Sequence, residues 1–207
     1  IPLIVTHAMQ PTFAFLFGCD IDGWTKETTI EQQHTWASAI QKAIRESLQA
    51  LADVYPDVAE KTVVMPTGDG AFVAFLEPSM LDAPLRMASG LTQRATSLPC
   101  TIGMAIHSGI VTPLTNSRNE HDLGGDGVSD TARLLVHASR WEIIASKAYA
   151  DSIKNISEEF RSLFSFAPLT RQDKHGKDHS FHYVKGQFLG TTLGVPQLSH
   201  GPQGQQK

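Results

Sequence analysis

The order of apolar and polar positions along the chain predicts an α+β fold. An apolar, aromatic-rich run at 12–19 is typical of a buried strand, and acids and a glycine at 20–23 interrupt it. Thr28 and Glu31 have the spacing of a capping box, which predicts that a helix begins there. Apolar residues then recur at helical spacing, so we expect a long amphipathic helix over 29–53.

The next segments complete a ferredoxin-like unit. The predicted elements are strands at 61–67, 71–76 and 100–107, and a helix from Asp82 to about residue 96. A tight turn at 68–70 joins the first two of these strands, because its Asp-Gly pair tolerates positive φ. The order is then β-α-β-β-α-β, the ferredoxin-like core. Pro66 cannot donate a ladder hydrogen bond, so we expect its strand at a sheet edge.

The second half of the chain predicts a C-terminal extension of this core. Its expected elements are a polar loop at 112–124, a helix at 127–138, a strand at 142–145, a helix at 147–153 and two strands at 163–170 and 180–185. From Gly186 the chain is rich in Gly, Gln and Pro and loses its periodicity. We therefore expect one domain over 1–190 and a disordered tail over 191–207.

Composition and charge narrow the function classes. The chain has 207 residues, of which 41% are apolar, enough for one domain with a sizeable core. A formal net charge of −4 gives no reason to expect a nucleic-acid partner, and no apolar run approaches the roughly 20 residues that span a membrane. Cys19 and Cys100 lie in strand-like runs, so we expect buried reduced thiols and a cytoplasmic protein. His175, His179 and His182 fit no zinc spacing and are interpreted as polar residues of loops and strand ends.

Two aspartates carry the first chemical signal. Asp20 ends the first predicted strand, and Asp69 lies in the turn before the third. A ferredoxin-like sheet has the order 4-1-3-2, so these positions lie side by side, and two carboxylates there would repel unless a cation lay between them. Mg²⁺ or Mn²⁺ prefers such hard oxygen ligands and also binds substrate phosphates. The alternative is a pair of turn-forming aspartates without a metal, and Asp22 is open in the same way between ligand and turn cap.

Four segments, in order, resemble the class III adenylate and guanylate cyclases. They are Phe17-Gly18-Cys19-Asp20-Ile21-Asp22-Gly23-Trp24-Thr25, Thr67-Gly68-Asp69-Gly70-Ala71-Phe72, the central strand and turn at 102–111, and the segment at 122–133. The first two look like the metal motifs of that family. The last is similar to the segment that carries the family's base-contacting and transition-state residues. The resemblance implies a nucleotidyl cyclase catalytic domain, which converts a nucleoside triphosphate to a 3′,5′-cyclic monophosphate and pyrophosphate.

The resemblance also assigns roles. Asp20 and Asp69 would hold two Mg²⁺ or Mn²⁺ ions per site, with the carbonyl of Ile21 as a further ligand. Arg133 matches the arginine that stabilises charge on the pentavalent phosphorus, and Lys177, or else Lys174, matches the lysine that binds the triphosphate. In the family the metal aspartates and the arginine come from different subunits, so the resemblance implies a head-to-tail homodimer with shared sites.

Three positions are informative in comparison with the purine cyclases of the family, and two of them depart from the family's pattern. Met65 stands where a Lys or Glu reads the base, and Ser129 stands where the transition-state Asn is expected, whereas Asp122 keeps an acid at the partner base-reading position. A purine site built on paired polar contacts would be incomplete here. The chain therefore resembles the pyrimidine cyclases of bacterial anti-phage signalling, which make cyclic UMP or cyclic CMP.

Other readings of the sequence stay open. An adenylate or guanylate cyclase is one, and a degenerate cyclase-like domain that binds nucleotide without turnover is another. A dinucleotide cyclase of the palm type needs adjacent acids at the hairpin, whereas Gly70 follows Asp69 here.

Overall fold

The computed structural model describes residues 10–24, 29–115, 121–173 and 176–194. The strands are β1 (Thr12–Ile21), β2 (Thr62–Thr67), β3 (Gly70–Phe75), β4 (Ile102–Thr115), β5 (His121–Gly124), β6 (Ile143–Ser146), β7 (Leu169–Gln172), β8 (Asp178–Tyr183), β9 (Gly186–Phe188) and β10 (Thr191–Leu193). The α-helices are α1 (Ile30–Leu51), α2 (Ala83–Gln93), α3 (Asp126–Leu135), α4 (Lys147–Ile153) and α5 (Glu158–Ser162). Short 3₁₀ turns lie at Pro78–Met80 and Ala95–Ser97.

One sheet organises the domain, in the order β2-β3-β1-β4-β6-β8-β7, with β5 paired to β4. Its first four strands have the ferredoxin-like order, which confirms the predicted α+β core and its C-terminal extension. β2 lies at the edge, as Pro66 predicts. β9 and β10 form a separate two-stranded sheet.

The centre of the sheet is buried on both faces, and β1, which lies there, is apolar at every position from Ala14 to Phe17. Phe15 and Phe17 pack with α1, α2 and α4 in the larger core, and Ala14 and Leu16 pack with α3 in the smaller one. Successive strand residues point to opposite faces, so this unbroken apolar run is what a central strand requires. The result is a layer of helices on one side of the sheet and α3 on the other.

The helix starts differ in detail from the predictions. The capping box of α1 is formed by Thr29 and Gln32, one residue later than predicted: the Thr29 hydroxyl accepts from Gln32 N at 3.2 Å and the Thr29 amide donates to Gln32 Oε1 at 2.9 Å. Thr28 lies outside the described residues. α5 was not predicted, and it begins at Ser157, whose hydroxyl accepts from the Phe160 amide.

The predicted polar loop at 112–124 is wrong at both of its ends. β4 continues to Thr115, and β5 returns beside it with Leu114 opposite Asp122. Residues 116–120 of that loop lie outside the described ranges. Leu123 is 6% exposed and packs in the smaller core. Its burial stabilises a strand pair in a segment whose polar composition predicted a loop.

The C-terminal boundary also moves. β10 falls within the predicted tail, and its Thr191 and Leu193 are buried. The described fold therefore runs to residue 194 rather than 190, and residues 195–207 of the predicted tail lie outside the described part. The strand predicted at 163–170 is a single bridge at Phe164 followed by β7.

Two further observations concern the cysteines and the helices. Cys19 and Cys100 are free and buried, as predicted. Within the described ranges, no helix is long and apolar enough to cross a bilayer.

Candidate active site

The two aspartates that the sequence singles out lie next to each other at one end of the sheet. In the register of β1 and β3, Asp20 is opposite Gly70, and the Ile21 amide donates a hydrogen bond of 2.9 Å to the Asp69 carbonyl. This bond ties the turn at 68–70 to the end of β1. A Cβ on Gly70 would lie 1.9 Å from the Cys19 carbonyl oxygen, so only glycine allows the two strands to approach this closely.

Burial and mutual repulsion disfavour charge on this pair. Desolvation, then the charge of Asp69 and a hydrogen bond between the two side chains, raise the pKa of Asp20 from 3.8 to about 6. Two carboxylates held this close in a half-buried position attract a cation, because a cation offsets the repulsion between them.

The aspartate pair opens into a cleft of about 240 Å³ between the sheet and α3. Thr67 and Phe72 line it on the sheet side, and Ala132, Leu135 and Val136 line it on the helix side. Val136 is 81% exposed, so the outer wall of the cleft is open to a large ligand or to another chain.

The aspartate pair fits a magnesium-type ion better than a protein-enclosed metal. Within the described residues, no group of three or more His, Cys, Asp or Glu side chains is arranged to hold a metal. Mg²⁺ is commonly held by one or two carboxylates, with water and substrate phosphates as the other ligands, and two carboxylates are what this site offers. The Oδ2 atom of Asp22 lies 3.9 Å from Arg140 Nε. The Ile21 carbonyl stays a predicted metal ligand.

A second group of charged residues joins α3 to the hairpin of β7 and β8. Asp130 accepts from Arg133 Nη1 at 2.7 Å and from Lys177 Nζ at 3.0 Å. Burial opposes the charge of Asp130, but the Lys177 ammonium and the Arg133 guanidinium prevail and hold its pKa below 3.8. The structure thus brings the predicted arginine and lysine to one carboxylate. Lys174, the other predicted candidate, lies outside the described residues.

Asp173 belongs to this group, and the sequence analysis gave no site role to it or to Asp130. The Asp173 side chain is 8% exposed; one oxygen lies 3.4 Å from Arg133 Nε and 3.1 Å from His179 Nε2, and the other accepts from the Lys177 amide at 3.0 Å. His179 is the second residue of β8, at a strand end as predicted, and it is buried at 7% exposure. We call Asp130, Arg133, Asp173, Lys177 and His179 the cation cluster. The only sequence signal for Asp173 was its place in the charged segment before Lys177.

The remaining predicted site residues have less specific surroundings. Met65 lies opposite Phe72 in the β2–β3 register and packs against the smaller core. Asp122 lies on β5, which contacts β2, and its carboxylate accepts from the Leu123 amide at 2.8 Å. Ser129 is exposed one helical turn before Arg133, and its hydroxyl donates to the Gly125 carbonyl at 3.3 Å. None of the hydrogen bonds or ion pairs of Arg133 and Lys177 in the described part of the chain involves Asp20 or Asp69.

The fold can be compared with known structures at this point. The guanylyl cyclase Cya2 covers 91% of this chain and 100% of its own length, with a TM-score of 0.58 and 18% identity. The guanylate cyclase domain of a rhodopsin–cyclase from Catenaria anguillulae, solved with GTP, gives a TM-score of 0.62 at 17% identity and covers 86% of this chain and 98% of its own. The adenylyl cyclase CyaB from P. aeruginosa gives 0.60 at 16% identity, with coverage of 87% and 97%.

The fold is that of nucleotidyl cyclase catalytic domains. At these identities the match describes the arrangement of helices and strands, and the chemistry rests on the residues of this chain. No protein-family model matches the sequence, and a search of curated proteins finds no significant match.

Proposed function

We propose that this protein is a metal-dependent nucleotidyl cyclase, which converts a nucleoside triphosphate to its 3′,5′-cyclic monophosphate and pyrophosphate. The observation that carries the proposal is the aspartate pair: Asp20 and Asp69 meet at the end of β1, where burial, and then the charge of Asp69, raise the pKa of Asp20 to about 6. A cyclase fold around two adjacent carboxylates is suited to phosphoryl chemistry.

Asp20 and Asp69 hold the ions in this proposal, with the Ile21 carbonyl as a third protein ligand. Two bound Mg²⁺ or Mn²⁺ ions would supply Lewis-acid activation of the ribose 3′-hydroxyl and neutralise charge on the triphosphate. The turn at 68–70 fixes Asp69 against β1, so the protein contributes a preformed pair of ligands rather than one assembled by the substrate.

Arg133 and Lys177 contact the phosphates. A guanidinium offers five N–H donors, and in the described structure Arg133 uses Nη1 for Asp130 and Nε for Asp173. Its Nη2 group is then directed to the charge that develops on the α-phosphate, while Lys177 binds the triphosphate. Ser129, at the position of the family's asparagine, provides a hydroxyl on the same exposed side of α3.

A head-to-tail homodimer completes the site. In the family that the sequence resembles, the metal aspartates and the arginine come from different subunits, and in this chain Arg133 and Lys177 pair with Asp130 and Asp173 rather than with Asp20 or Asp69. The exposed Val136 on the wall of the aspartate cleft is consistent with a partner there. A guanylyl cyclase domain from Blastocladiella emersonii, a structural neighbour at 18% identity, is described in one structure as a non-canonical dimer and in another as monomeric.

A pyrimidine base is the favoured substrate in this proposal. Met65 offers a thioether, which cannot pair with a purine edge, and β2 lies beside the strand that carries Asp122. The product would be cyclic UMP or cyclic CMP, in the cytoplasm, and anti-phage signalling would be the pathway. GTP and an ATP analogue are bound in two neighbour structures, so adenylate or guanylate cyclase activity is the alternative.

A domain that binds nucleotide without turnover is the second candidate. Met65 and Ser129 favour it, because both replace polar groups on which the family's catalysis relies. The aspartate pair and Arg133 argue against it, since a domain without chemistry has no need of both.

The decisive experiment incubates the protein with each of the four ribonucleoside triphosphates and Mn²⁺, and identifies any cyclic product by mass. We expect cyclic UMP or cyclic CMP, and faster turnover of ATP or GTP would contradict the pyrimidine assignment. Asp69→Asn should lower the rate more than about 100-fold, since even residues that only orient metal ligands contribute 10–100-fold. Asp178→Asn, at an exposed acid of β8, is the matched control. Nucleotide binding without pyrophosphate release would instead support the second candidate.

A further inference from the structure

A second cleft lies on the other side of β2 from the aspartate pair. It has a volume of about 330 Å³ and is formed by the C-terminal half of α1, the segment after it and β2. Thr62 and Val64 of β2 line this cleft, whereas Thr67, of opposite parity, lines the aspartate cleft. Small-molecule sites in proteins occupy about 300–1,000 Å³, so this cleft accommodates a small ligand. We call it the α1–β2 cleft.

The floor of the α1–β2 cleft is hydrocarbon. Leu48 and Ala52 line it from α1 and its C-cap, Val58 lines it from the following segment, and Val64 lines it from the strand. Val58 is 5% exposed and belongs to the larger core, so the floor is continuous with a packed interior. Such a surface selects a ligand with an apolar body.

Thr62 adds a polar group with an unmet requirement. Its hydroxyl is buried and has no hydrogen-bond partner among the described residues. Buried polar groups in proteins almost always have a partner, and each exception calls for an explanation. Thr62 lines the α1–β2 cleft, but this oxygen has almost no exposed surface, so the hydroxyl is not open to a ligand there as the side chain stands.

Arg45 adds a positive charge at the wall of the cleft. Its helical neighbours at i−4 and i+4 are Gln41 and Gln49, so no acid lies at the spacing that pairs charges along a helix. The adjacent Glu46 is engaged by Lys42 and Arg94 instead. Within the described residues Arg45 makes no ion pair, and a guanidinium in this state favours an anionic ligand group.

We propose that the α1–β2 cleft binds a small apolar anion, a molecule with a compact hydrocarbon body and one carboxylate or comparable acidic group. The body lies on Leu48, Val58 and Val64, and the acidic group lies beside Arg45. The site is separate from the aspartate cleft and does not depend on nucleotide turnover.

The strand between the two clefts couples this site to the aspartate pair. β2 runs from Thr62 directly into the turn at 68–70 that positions Asp69. As an edge strand it is paired on one side only, to β3, so a ligand behind it changes its position more easily than that of a central strand. The bound anion would therefore regulate the geometry of the aspartate pair.

The test is a ¹H–¹⁵N NMR titration of the whole chain, without metal or nucleotide, using three probes that share an eight-carbon body: octanoate, octanol and octylamine. We expect octanoate to shift the amides of Val58, Thr62 and Val64, and to bind at least about tenfold more tightly than octanol. Arg45→Gln should reduce octanoate to the affinity of octanol. Smaller shifts at Gly68 and Gly70 would report the coupling. If the shifts stay within the cleft, the coupling is overturned.

Two alanines at the end of α1 provide the matched pair of variants. Ala52 lines the cleft and Ala50 is exposed without lining it, so Ala52→Trp should abolish octanoate binding and Ala50→Trp should leave it unchanged. Thermal unfolding of each variant checks that the fold is kept. Equal binding of octanol or octylamine, no binding of octanoate, or equal effects of the two tryptophans would overturn the site. Because no nucleotide is present, these outcomes are independent of whether the protein is a cyclase.

Discussion

The aspartate pair and the cation cluster differ in how their charges are compensated. Asp20 and Asp69 are like charges that meet without a cation among the described residues, whereas Arg133 and Lys177 are each bound to carboxylates of the same chain. The pKa of Asp20 is raised to about 6, and that of Asp130 is lowered. The first group is incomplete until a cation binds; the second is already neutral and must exchange partners to bind an anion.

The largest expected effect is the loss of kcat on substitution of Arg133 in the cation cluster. Arg133→Ala should lower kcat about 10³-fold, because an arginine that stabilises a phosphoryl transition state contributes 10³–10⁵-fold. Initial rates with Mn²⁺ and the preferred triphosphate measure it. Arg171→Ala, at an exposed arginine of β7, is the control and should change kcat less than twofold or so. A loss of less than about tenfold in Arg133→Ala would remove this residue from the mechanism.

The two glycines that flank Asp69 test the aspartate side. Gly70→Ala places a Cβ 1.9 Å from the Cys19 carbonyl oxygen, whereas a Cβ on Gly68 meets nothing within 4 Å. We expect Gly70→Ala to lower the free energy of unfolding by about 3 kcal/mol or more, since backbone strands cannot yield as side chains do. Gly68→Ala should stay within about 0.5 kcal/mol of the parent. Urea unfolding of the metal-free protein measures both, and equal stabilities would mean that β1 and β3 are not held this closely.

The Asp173→Asn variant tests whether Asp173 orients the Arg133 side chain or only neutralises its charge. Asp173→Asn should lower kcat about 10–100-fold with a small change in KM, because residues that orient a reactive group contribute this much without contacting substrate. The Arg133 Nε–H signal in ¹⁵N NMR should broaden or disappear in this variant. Asp178→Asn, in the same hairpin, should affect neither. Tighter substrate binding with unchanged kcat would show that the carboxylate merely competes with phosphate for the arginine.

The sequence predicted that Asp20 and Asp69 lie side by side, but it predicted only two residues of the cation cluster, Arg133 and Lys177, for a topological reason. Once strands 1 and 3 are neighbours, their ends must meet, so Asp20 and Asp69 follow from local patterns and one fold rule. Asp173 reaches Arg133 only through the placement of the β7–β8 hairpin beside α3, which no local period specifies. β5 was missed for a similar reason, because its pairing with β4 follows a segment whose polar composition is typical of a loop.

The smallest expected effect is on thermal stability, and it should have opposite signs for substitutions of Asp20 and Asp130. For Asp20 the folded pKa of about 6 exceeds 3.8, so the folded state binds the proton more tightly and stability from this group is lost as pH rises from about 4 to about 6. Asp130, with a lowered pKa, contributes stability above its ordinary pKa and loses it as pH falls.

At about pH 7.5 and without metal, Asp20→Asn should raise Tm and Asp130→Asn should lower it, each by about 2–4 °C, which corresponds to about 1 kcal/mol after solvent screening. Near pH 5 the gain from Asp20→Asn should largely vanish because the parent carboxyl is protonated. Mn²⁺ should stabilise the parent and the Asp130→Asn variant more than the Asp20→Asn variant, so a metal response unchanged by Asp20→Asn would place the cation elsewhere.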